Sequence, residues 1–440
     1  MARTSRRHFL KQTGAAVGAS ALPRFVPAPA LGAAGGVAPS ERIVMGGIGL
    51  GGQGQRNMRN FITHSDVQWV AVCDVDTDRR NQAKAIADGT YGNTDCAAYV
   101  DFRELLARRD IDAVLIATSD RWHAPLSVMA AKAGKDIYCE KPMSLTVAEG
   151  RAVADTVRRY GTVYQCGTQR RSMRTFSFAV QLARSGKLGK LTTLRSYVRA
   201  GSACPVLSPQ PVPASLNYDL WLGPAPYRPY HKSFVYEHLY NNNFAYSGGM
   251  ITDWGTHCND LAQWANDSER AGPLEFEGTA KFPRDGFGDV PTALHVEATY
   301  ANGVKLVMHD RKERPLWPTD NSELAVMFQG TEGWVYADDG GNVLAQPESL
   351  LEQQRFQRQT WMDAANWTAH HRNFLDCIKT RRDPIAPAEI AHRSVTTCHV
   401  ASICLRLGRK LRWDPTTETF PDDAEANRLL ARAMRSPWHI

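Results

Sequence analysis

The sequence predicts an α/β chain in two parts: an N-terminal doubly wound parallel sheet, then an α+β part built on an open, mostly antiparallel sheet. Three observations predict it. From about residue 40 to 165, short apolar runs alternate with longer amphipathic ones, the texture of βαβ units. Beyond that, the apolar runs change to a two-residue alternation, as in strands with one wet face. Finally, 440 residues with 43 % hydrophobic content exceed what one ordinary domain holds.

Taken in order, 43–48 reads as a first strand, 55–64 as a helix, 69–74 as a second strand and 79–87 as the next helix. Residues 111–118 read as a buried strand, 124–133 as a helix and 136–139 as a strand. The later strands are 191–199, 293–300, 304–309 and 323–329, with Asn302-Gly303 as a hairpin turn. The stretch 204–246, rich in Pro, Tyr and Asn, is too long for a plain connector and is expected to shape the binding site and decide substrate. The division expected is 1–39 as a leader and linker, 40–165 as the first domain and 166–440 as the second.

Charged residues make up 22 % of the chain and no eighteen-residue apolar run occurs, so disorder and stable membrane insertion are both excluded as expectations. The net charge of +7 includes Arg3, Arg6, Arg7, Lys11 and Arg24; residues 1–39 hold no acid, and the remainder carries only +2. No basic block longer than Arg170-Arg171 or Arg381-Arg382 follows, which argues against a nucleic-acid partner.

At the start, Ser5-Arg6-Arg7-His8-Phe9-Leu10-Lys11, a weakly apolar run and Ala28-Pro29-Ala30 stand in the order of a twin-arginine export signal. The expected partner is the twin-arginine translocation machinery and the expected place periplasmic or otherwise exported. That route carries folded proteins, so a cofactor can travel bound. The nine cysteines are odd in number and several lie in strand-like runs, which reads as buried small hydrophobes. No standard zinc spacing occurs, and no metal is expected.

Gly49-Leu50-Gly51-Gly52-Gln53-Gly54 follows the first strand and opens a helix, the context a dinucleotide fingerprint requires. Gly49 permits the turn, Gly51 the approach of a pyrophosphate and Gly54 close helix packing. The second strand ends at Asp74, where a carboxylate accepts ribose hydroxyls and repels a 2′-phosphate. NAD is therefore favoured over NADP, with Arg79 and Arg80 as the nearby cations that weigh the other way. The fold this implies is a Rossmann domain.

The glycine loop, Ala117-Thr118-Ser119-Asp120 with Trp122-His123, Tyr138-Cys139-Glu140-Lys141-Pro142, Gly167-Thr168-Gln169-Arg170-Arg171-Ser172, and the segment from Gly248 through Asp253-Trp254-Gly255-Thr256-His257 together carry a resemblance. The chain resembles the glucose-fructose oxidoreductase / inositol dehydrogenase (Gfo/Idh/MocA) family. The resemblance implies catalytic Lys141, Asp253 and His257. It places Gly49, Gly51, Gly52, Gln53, Gly54, Asp74, Thr118, Ser119, Trp122, His123, Glu140 and Lys141 around the cofactor.

The chemistry accounts for those residue types. Oxidising a secondary alcohol moves a hydride to the nicotinamide while the hydroxyl proton leaves, and an alcohol does not ionise unaided at neutral pH. A positioned base is required. Histidine titrates in the right range, so His257 is the expected base; a Lys141 ammonium stabilises the developing alkoxide. Asp253, four residues before His257, shares its face if the segment is helical. Gln169, Arg170, Tyr236 and Tyr246 are the expected substrate contacts, with His238 beside them, and His370, His371, His392 and Arg393 read as structural.

The leading function is an NAD(P)-dependent oxidoreductase acting on a secondary alcohol of a sugar, polyol or glycoside. Free NAD is not expected outside the cytoplasm, which favours a tightly bound cofactor reoxidised in place, as the resemblance to glucose-fructose oxidoreductase implies. One alternative is a glycosidase that oxidises transiently and eliminates, although the Thr-His-Gly segment associated with that branch is absent. Another is a non-catalytic carbohydrate-binding protein of the same fold. A homo-oligomer, paired through the exposed face of the open sheet, is what the resemblance implies.

Overall fold

Two sheets organise the computed structural model, which describes residues 37–310, 324–352 and 364–440. Ahead of Ile43 the described residues hold a 3-10 turn, Pro39–Glu41, in a separate unit, Met1–Arg42; the unit Ile43–Ile440 carries both sheets. The twin-arginine and cleavage segments lie outside the described residues, as does Glu323 at the start of one expected strand.

In the first half the order is β1 (Ile43–Ile48), α1 (Gly52–Ile62), β2 (Val67–Cys73), α2 (Thr77–Tyr91), β3 (Ala97–Tyr99), α3 (Phe102–Ala107), β4 (Ala113–Ile116), α4 (Asp120–Lys132), β5 (Asp136–Cys139), α5 (Val147–Tyr160) and β6 (Tyr164–Cys166). The strands pair in parallel in the order β3-β2-β1-β4-β5-β6. The order reverses at β1 and β4, and ligands of such sheets bind beyond the carboxyl ends at that point. β4 and β5 are buried at every position, because helices cover both faces.

The structure adds β3, α3, α5 and β6 to the elements that periodicity predicts. Two of these strands are three residues long, too short to show a pattern. α5 did carry a signal, the Thr-x-x-Glu spacing of an N-cap: Thr146 Oγ1 accepts from the Glu149 amide at 3.3 Å, and the Glu149 carboxylate accepts from the Leu145 amide at 3.1 Å.

The second half runs α6 (Arg174–Arg184), β7 (Leu191–Val198), α7 (Tyr218–Leu222), α8 (Lys232–Tyr236), α9 (Met250–Ala265), β8 (Glu275–Lys281), β9 (Ala293–Thr299), β10 (Lys305–Asp310), β11 (Ala325–Gly330), β12 (Trp334–Asp338), β13 (Val343–Gln346), α10 (Ala364–Thr380), α11 (Ala388–Leu407), β14 (Leu411–Arg412) and α12 (Ala424–Arg428). The sheet order is β13-β12-β11-β7-β10-β9-β8-β14. Its pairings are antiparallel except β7 with β10. The Asn302-Gly303 hairpin joins β9 to β10, with Gly303 at φ +82°. Phe176, Leu194, Cys258, Leu261, Val296, Leu306, Phe328 and Val400 form the core between this sheet and α6, α9 and α11.

The chain then returns to the first sheet. Phe374, Leu375 and Cys377 of α10 pack with Met45, Trp69, Leu115 and Tyr138 on one face. Ala388, Ala391 and Val395 of α11 join Ile116, Ile137 and Cys166 on the other. All nine cysteines are buried and unpaired, as their apolar settings suggested. Among the described residues no helix is long and apolar enough to cross a membrane.

Phe374 is fully buried, with its ring 5.8 Å from Tyr138 and 6.1 Å from Phe61. Phe374→Ala should therefore destabilise the protein by about 3–5 kcal/mol, read from denaturant midpoints, if the returning helix completes the parallel sheet's core. An unchanged midpoint would show that the first sheet is stable without it.

Candidate active site

β1 ends in the glycine loop because only glycine tolerates its geometry. Gly49 has φ +79°, and a Cβ on Gly54 would lie 2.2 Å from the Gly49 carbonyl oxygen. α1 then starts with Gly51 as N-cap and no side-chain cap. By contrast, Asp76 caps α2 through the Asp78 and Arg79 amides at 3.0 Å, and Asp101 caps α3 through the Arg103 amide at 2.9 Å. The first amides of α1 are thus left for an anion, where the helix dipole favours one.

A cleft of ≈ 1010 Å³ runs from this loop past Asp74, Val75 and Arg79 to Thr118, Ser119 and Trp122. Asp74 stands at the end of β2 and accepts from the Leu50 amide at 2.7 Å and the Asp76 amide at 2.9 Å. Burial pushes its carboxyl up against those two bonds. Arg80 turns back to the Asp74 carbonyl at 2.8 Å, whereas Arg79 faces the cleft. These residues fit a dinucleotide: a close backbone approach at the phosphates, uncapped amides and an acid at the ribose end.

The stretch 204–246 has its own core of Leu216, Tyr218, Trp221, Tyr230, Phe234 and Tyr246, and it roofs this cleft with Leu220, Trp221, Val235, His238 and Tyr240. Its backbone joins the end of β2, Asn217 N–H to Val75 O and Thr77 N–H to Ser215 O, both at 2.9 Å. Arg121 donates to the Trp221 and Leu222 carbonyls, and Trp122 Nε1–H to Leu220 O. At the chain's end, Arg435 grips Asp219 and the Gly223 carbonyl. The stretch thus faces the cofactor cleft with five residues, and Tyr240 and Asn241 also reach the cavity that adjoins it.

A second cavity, ≈ 830 Å³, opens next to the first, and Gln53, Ala117, Thr118 and Tyr240 line both. Here Lys141, from the loop after β5, forms an ion pair with Asp253 Oδ1. α9 is helical from Met250, so Asp253 and His257 do share a face, and both line the cavity. Burial opposes the Lys141 ammonium, but the adjoining Asp253 and Glu140 carboxylates outweigh it and raise Lys141 above the usual lysine value. Burial first, then the Arg170 and Lys141 cations, push His257 well below the ordinary histidine value.

Around these groups Glu140 and His123 each tie several segments together. Glu140 Oε1 accepts from Asn57 at 2.8 Å, Gln169 at 2.9 Å and Gln53 at 3.0 Å. A Cβ on Gly167 would strike that carboxylate at 2.9 Å, which explains the glycine. His123 sits between the Pro142 carbonyl at 2.7 Å and the Thr118 carbonyl at 3.2 Å, pinning the Lys141 loop to the loop after β4.

Of the expected substrate contacts, Gln169 and Arg170 line the cavity; Tyr236 and Tyr246 do not. Tyr236 O–H donates to Asp76 at 2.7 Å beside the ribose end of the cleft, and Tyr246 O–H to the Pro226 carbonyl at 2.9 Å inside the roof's core. Their hydroxyls are thus engaged outside the cavity, and of this stretch it is Tyr240 and Asn241 that face Asp253 and His257. His370, His371 and His392 hold buried structural bonds, to Ser172 and Cys166, to Asn57 and Asn60, and to Glu418.

Sequence reasoning missed Asp120, Trp254, Tyr240, Trp367 and Asp339. Asp120 lines the cavity and accepts from Ser247 Oγ at 2.6 Å, while Ser247 Oγ accepts from the Gly249 amide at the start of α9. Burial, then the Asp253 charge, raises its carboxyl. Asp339 reaches Arg170 across 169 residues, and no local pattern marks such a pairing. Among the described residues no group of His, Cys, Asp and Glu is placed to hold a metal ion.

A dinucleotide cleft that opens onto an acid–base cavity defines a class, the NAD-dependent oxidoreductases. More particularly, this chain belongs to the Gfo/Idh/MocA family: residues 42–168 match "Oxidoreductase family, NAD-binding Rossmann fold" and residues 196–440 "Oxidoreductase family, C-terminal alpha/beta domain". It is 26 % identical over 297 residues to a myo-inositol 2-dehydrogenase of Thermotoga maritima, covering 67 % of this chain and 75 % of that one. It is 34 % identical over 172 residues to a glycosyl hydrolase family 109 protein of Shewanella pealeana, covering 36 % of this chain and 38 % of that relative. The aldose-aldose oxidoreductase of Caulobacter crescentus shares the fold, with TM-score 0.61 at 18 % identity over 84 % of this chain and 99 % of that one.

Gly54→Ala should abolish NAD binding, weakening it by on the order of a hundredfold or more because the new methyl meets backbone. Titration calorimetry on a variant with native circular dichroism checks this; unchanged affinity would mean that the loop does not hold the dinucleotide as described.

Proposed function

We propose that this oxidoreductase transfers a hydride between a retained NAD and a secondary alcohol of a sugar, polyol or glycoside, and that it works after twin-arginine export. The observation that carries the reading is the shared wall of Gln53, Ala117, Thr118 and Tyr240, where the cofactor cleft meets the cavity of Lys141, Asp253 and His257. Bound NAD would supply the hydride acceptor. The cavity sets Trp254, Tyr240 and Trp367 beside Asp120, Asp253, Gln169 and Arg170, an aromatic surface with convergent polar groups that suits a polyhydroxylated ring.

In this reading Lys141 holds the reacting oxygen and stabilises negative charge on it, and His257, neutral in the resting site, receives the hydroxyl proton. Asp253 keeps Lys141 charged and oriented. The roof of 204–246 supports retention of the cofactor, and retention suits a protein working where free NAD is scarce, with a second substrate restoring the bound dinucleotide. Assembly as a homo-oligomer through the open sheet belongs to the same proposal. A second reading, favoured by the 34 % match to a glycosyl hydrolase family 109 protein, is transient oxidation followed by elimination and re-reduction.

The test is to purify the exported protein without added cofactor, denature it and identify any released dinucleotide by mass spectrometry. Near-stoichiometric NAD or NADH is expected. Absence both of a released dinucleotide and of NAD uptake on titration would overturn the reading in favour of a non-catalytic binding protein. With cofactor present, Lys141→Ala and His257→Ala should lower turnover on sugars or glycosides by on the order of a thousandfold while leaving the cofactor bound; wild-type rates in both would remove them from the mechanism.

A further inference from the structure

His257 is almost fully enclosed at 1 % exposure, and its Nε2 lies 3.0 Å from Arg170 Nη1. A guanidinium has donors only and keeps its charge at any accessible pH. The contact therefore requires a lone pair on Nε2, and a neutral imidazole with its lone pair there carries its proton on Nδ1. Among the described residues His257 Nδ1 has no hydrogen-bond partner, and none on the opposite edge of the ring competes for the choice.

Arg170 is itself fixed. Its Nε and Nη2 meet the two oxygens of Asp339 at 3.1 Å and 2.6 Å, and the two side chains are only 7 % and 5 % exposed. Such a two-point fork sets the plane of the guanidinium as well as its position. Asp339 follows β12, Arg170 lies in the 3-10 turn Gln169–Ser172 and His257 lies on α9, so three separate elements converge on one ring.

We propose that Arg170, held by Asp339, is a positioning residue that fixes His257 in one tautomer, with the proton on Nδ1 and the accepting lone pair on Nε2. Only the use of that tautomer rests on the reading of His257 as the base; the tautomer itself is a property of the free protein. The arrangement names Nε2 as the atom that receives the substrate proton and keeps it engaged by a donor until a substrate hydroxyl takes that place. It also makes proton uptake transient, since an Nε2–H imidazolium would face Arg170.

The charged and titratable groups around the ring agree with this. Arg170 and Lys141 face it from the first half of the chain, His370 from α10, and Asp253 shares its helix but is committed to Lys141; Asp339 is committed to Arg170. Among the described residues the charges that bear on the imidazole are the cations Arg170 and Lys141, while the cavity's other carboxylates, Asp120 and Glu140, are engaged by Ser247 and by Asn57, Gln169 and Gln53. The neutral form is thus held through the pH range where a free histidine titrates, and a base of this kind keeps working as the pH falls through that range.

The test uses the full-length protein labelled with ¹⁵N-histidine, whose 13 histidines give a tractable long-range ¹H–¹⁵N spectrum. His257 is identified by its loss in His257→Gln. The expected wild-type pattern is a neutral ring protonated at Nδ1, unchanged while exposed histidines titrate. Arg170→Met should mix the tautomers, raise the titration midpoint by on the order of one pH unit, and carry the acid limb of turnover up with it. Arg170→Lys, which keeps the charge and loses the fork, should mix the tautomers with a smaller rise.

A wild-type ring protonated at Nε2, or one that titrates in the ordinary range, overturns the proposal whatever the variants do; so does an Arg170→Met ring that behaves as wild type. If the spectrum is as expected and no sugar or glycoside is turned over, the functional reading fails and the tautomer assignment stands.

Discussion

The ion pair between Lys141 and Asp253 is the constraint on which the reacting end of the molecule depends. One partner sits on the loop after β5 of the parallel sheet, the other on a helix that packs on the antiparallel sheet, 112 residues further on. Partly buried charges at 20 % and 19 % side-chain exposure are tolerated because each answers the other. That pairing fixes the separation of two chain segments that have no local reason to meet, and it sets the protonation state of both functional neighbours. Lys141 stays charged because Asp253 is there, and His257 stays neutral in part because Lys141 is there.

Around the pair, buried carboxylates act as fasteners. Glu140 gathers Gln53, Asn57 and Gln169; Asp339 holds Arg170; Asp120 takes Ser247, which in turn meets the Gly249 amide at the N-cap of α9. Glu140 joins Gln53, which lines both the cleft and the cavity, to Gln169 of the cavity wall, and Asp339 fixes Arg170 beside His257. The roof over the cleft adds a different kind of closure, built from aromatic side chains and backbone bonds to the end of β2.

Much of this was legible in the sequence where the signal is local. The glycine loop, the acid at the end of β2, the Glu140-Lys141-Pro142 step and the Asp253/His257 spacing each depend on residues within one turn or one strand–helix junction. The strands of the open sheet announced themselves by alternation. What stayed hidden is long-range. Nothing near Asp339 marks it as the partner of a residue 169 positions earlier, and the return of Phe374 to the parallel sheet has no counterpart in its own helix's pattern. A Tyr-rich stretch resembles a pocket wall and so points Tyr236 and Tyr246 at the substrate; in the fold Tyr246 lies in the roof's core and Tyr236 packs against it, bonded to Asp76.

The central claim is that the cleft and the cavity form one site in which a carbon-bound hydrogen of a sugar-like alcohol passes to the dinucleotide. The most direct measurement offers the protein a panel of sugars and polyols deuterated at their carbinol carbons, quenches within one turnover and weighs the dinucleotide. Gain of one deuterium on the nicotinamide, from at least one member of the panel and lost in His257→Ala, is the predicted result. A fully loaded protein whose dinucleotide gains no deuterium from any of them would contradict the account.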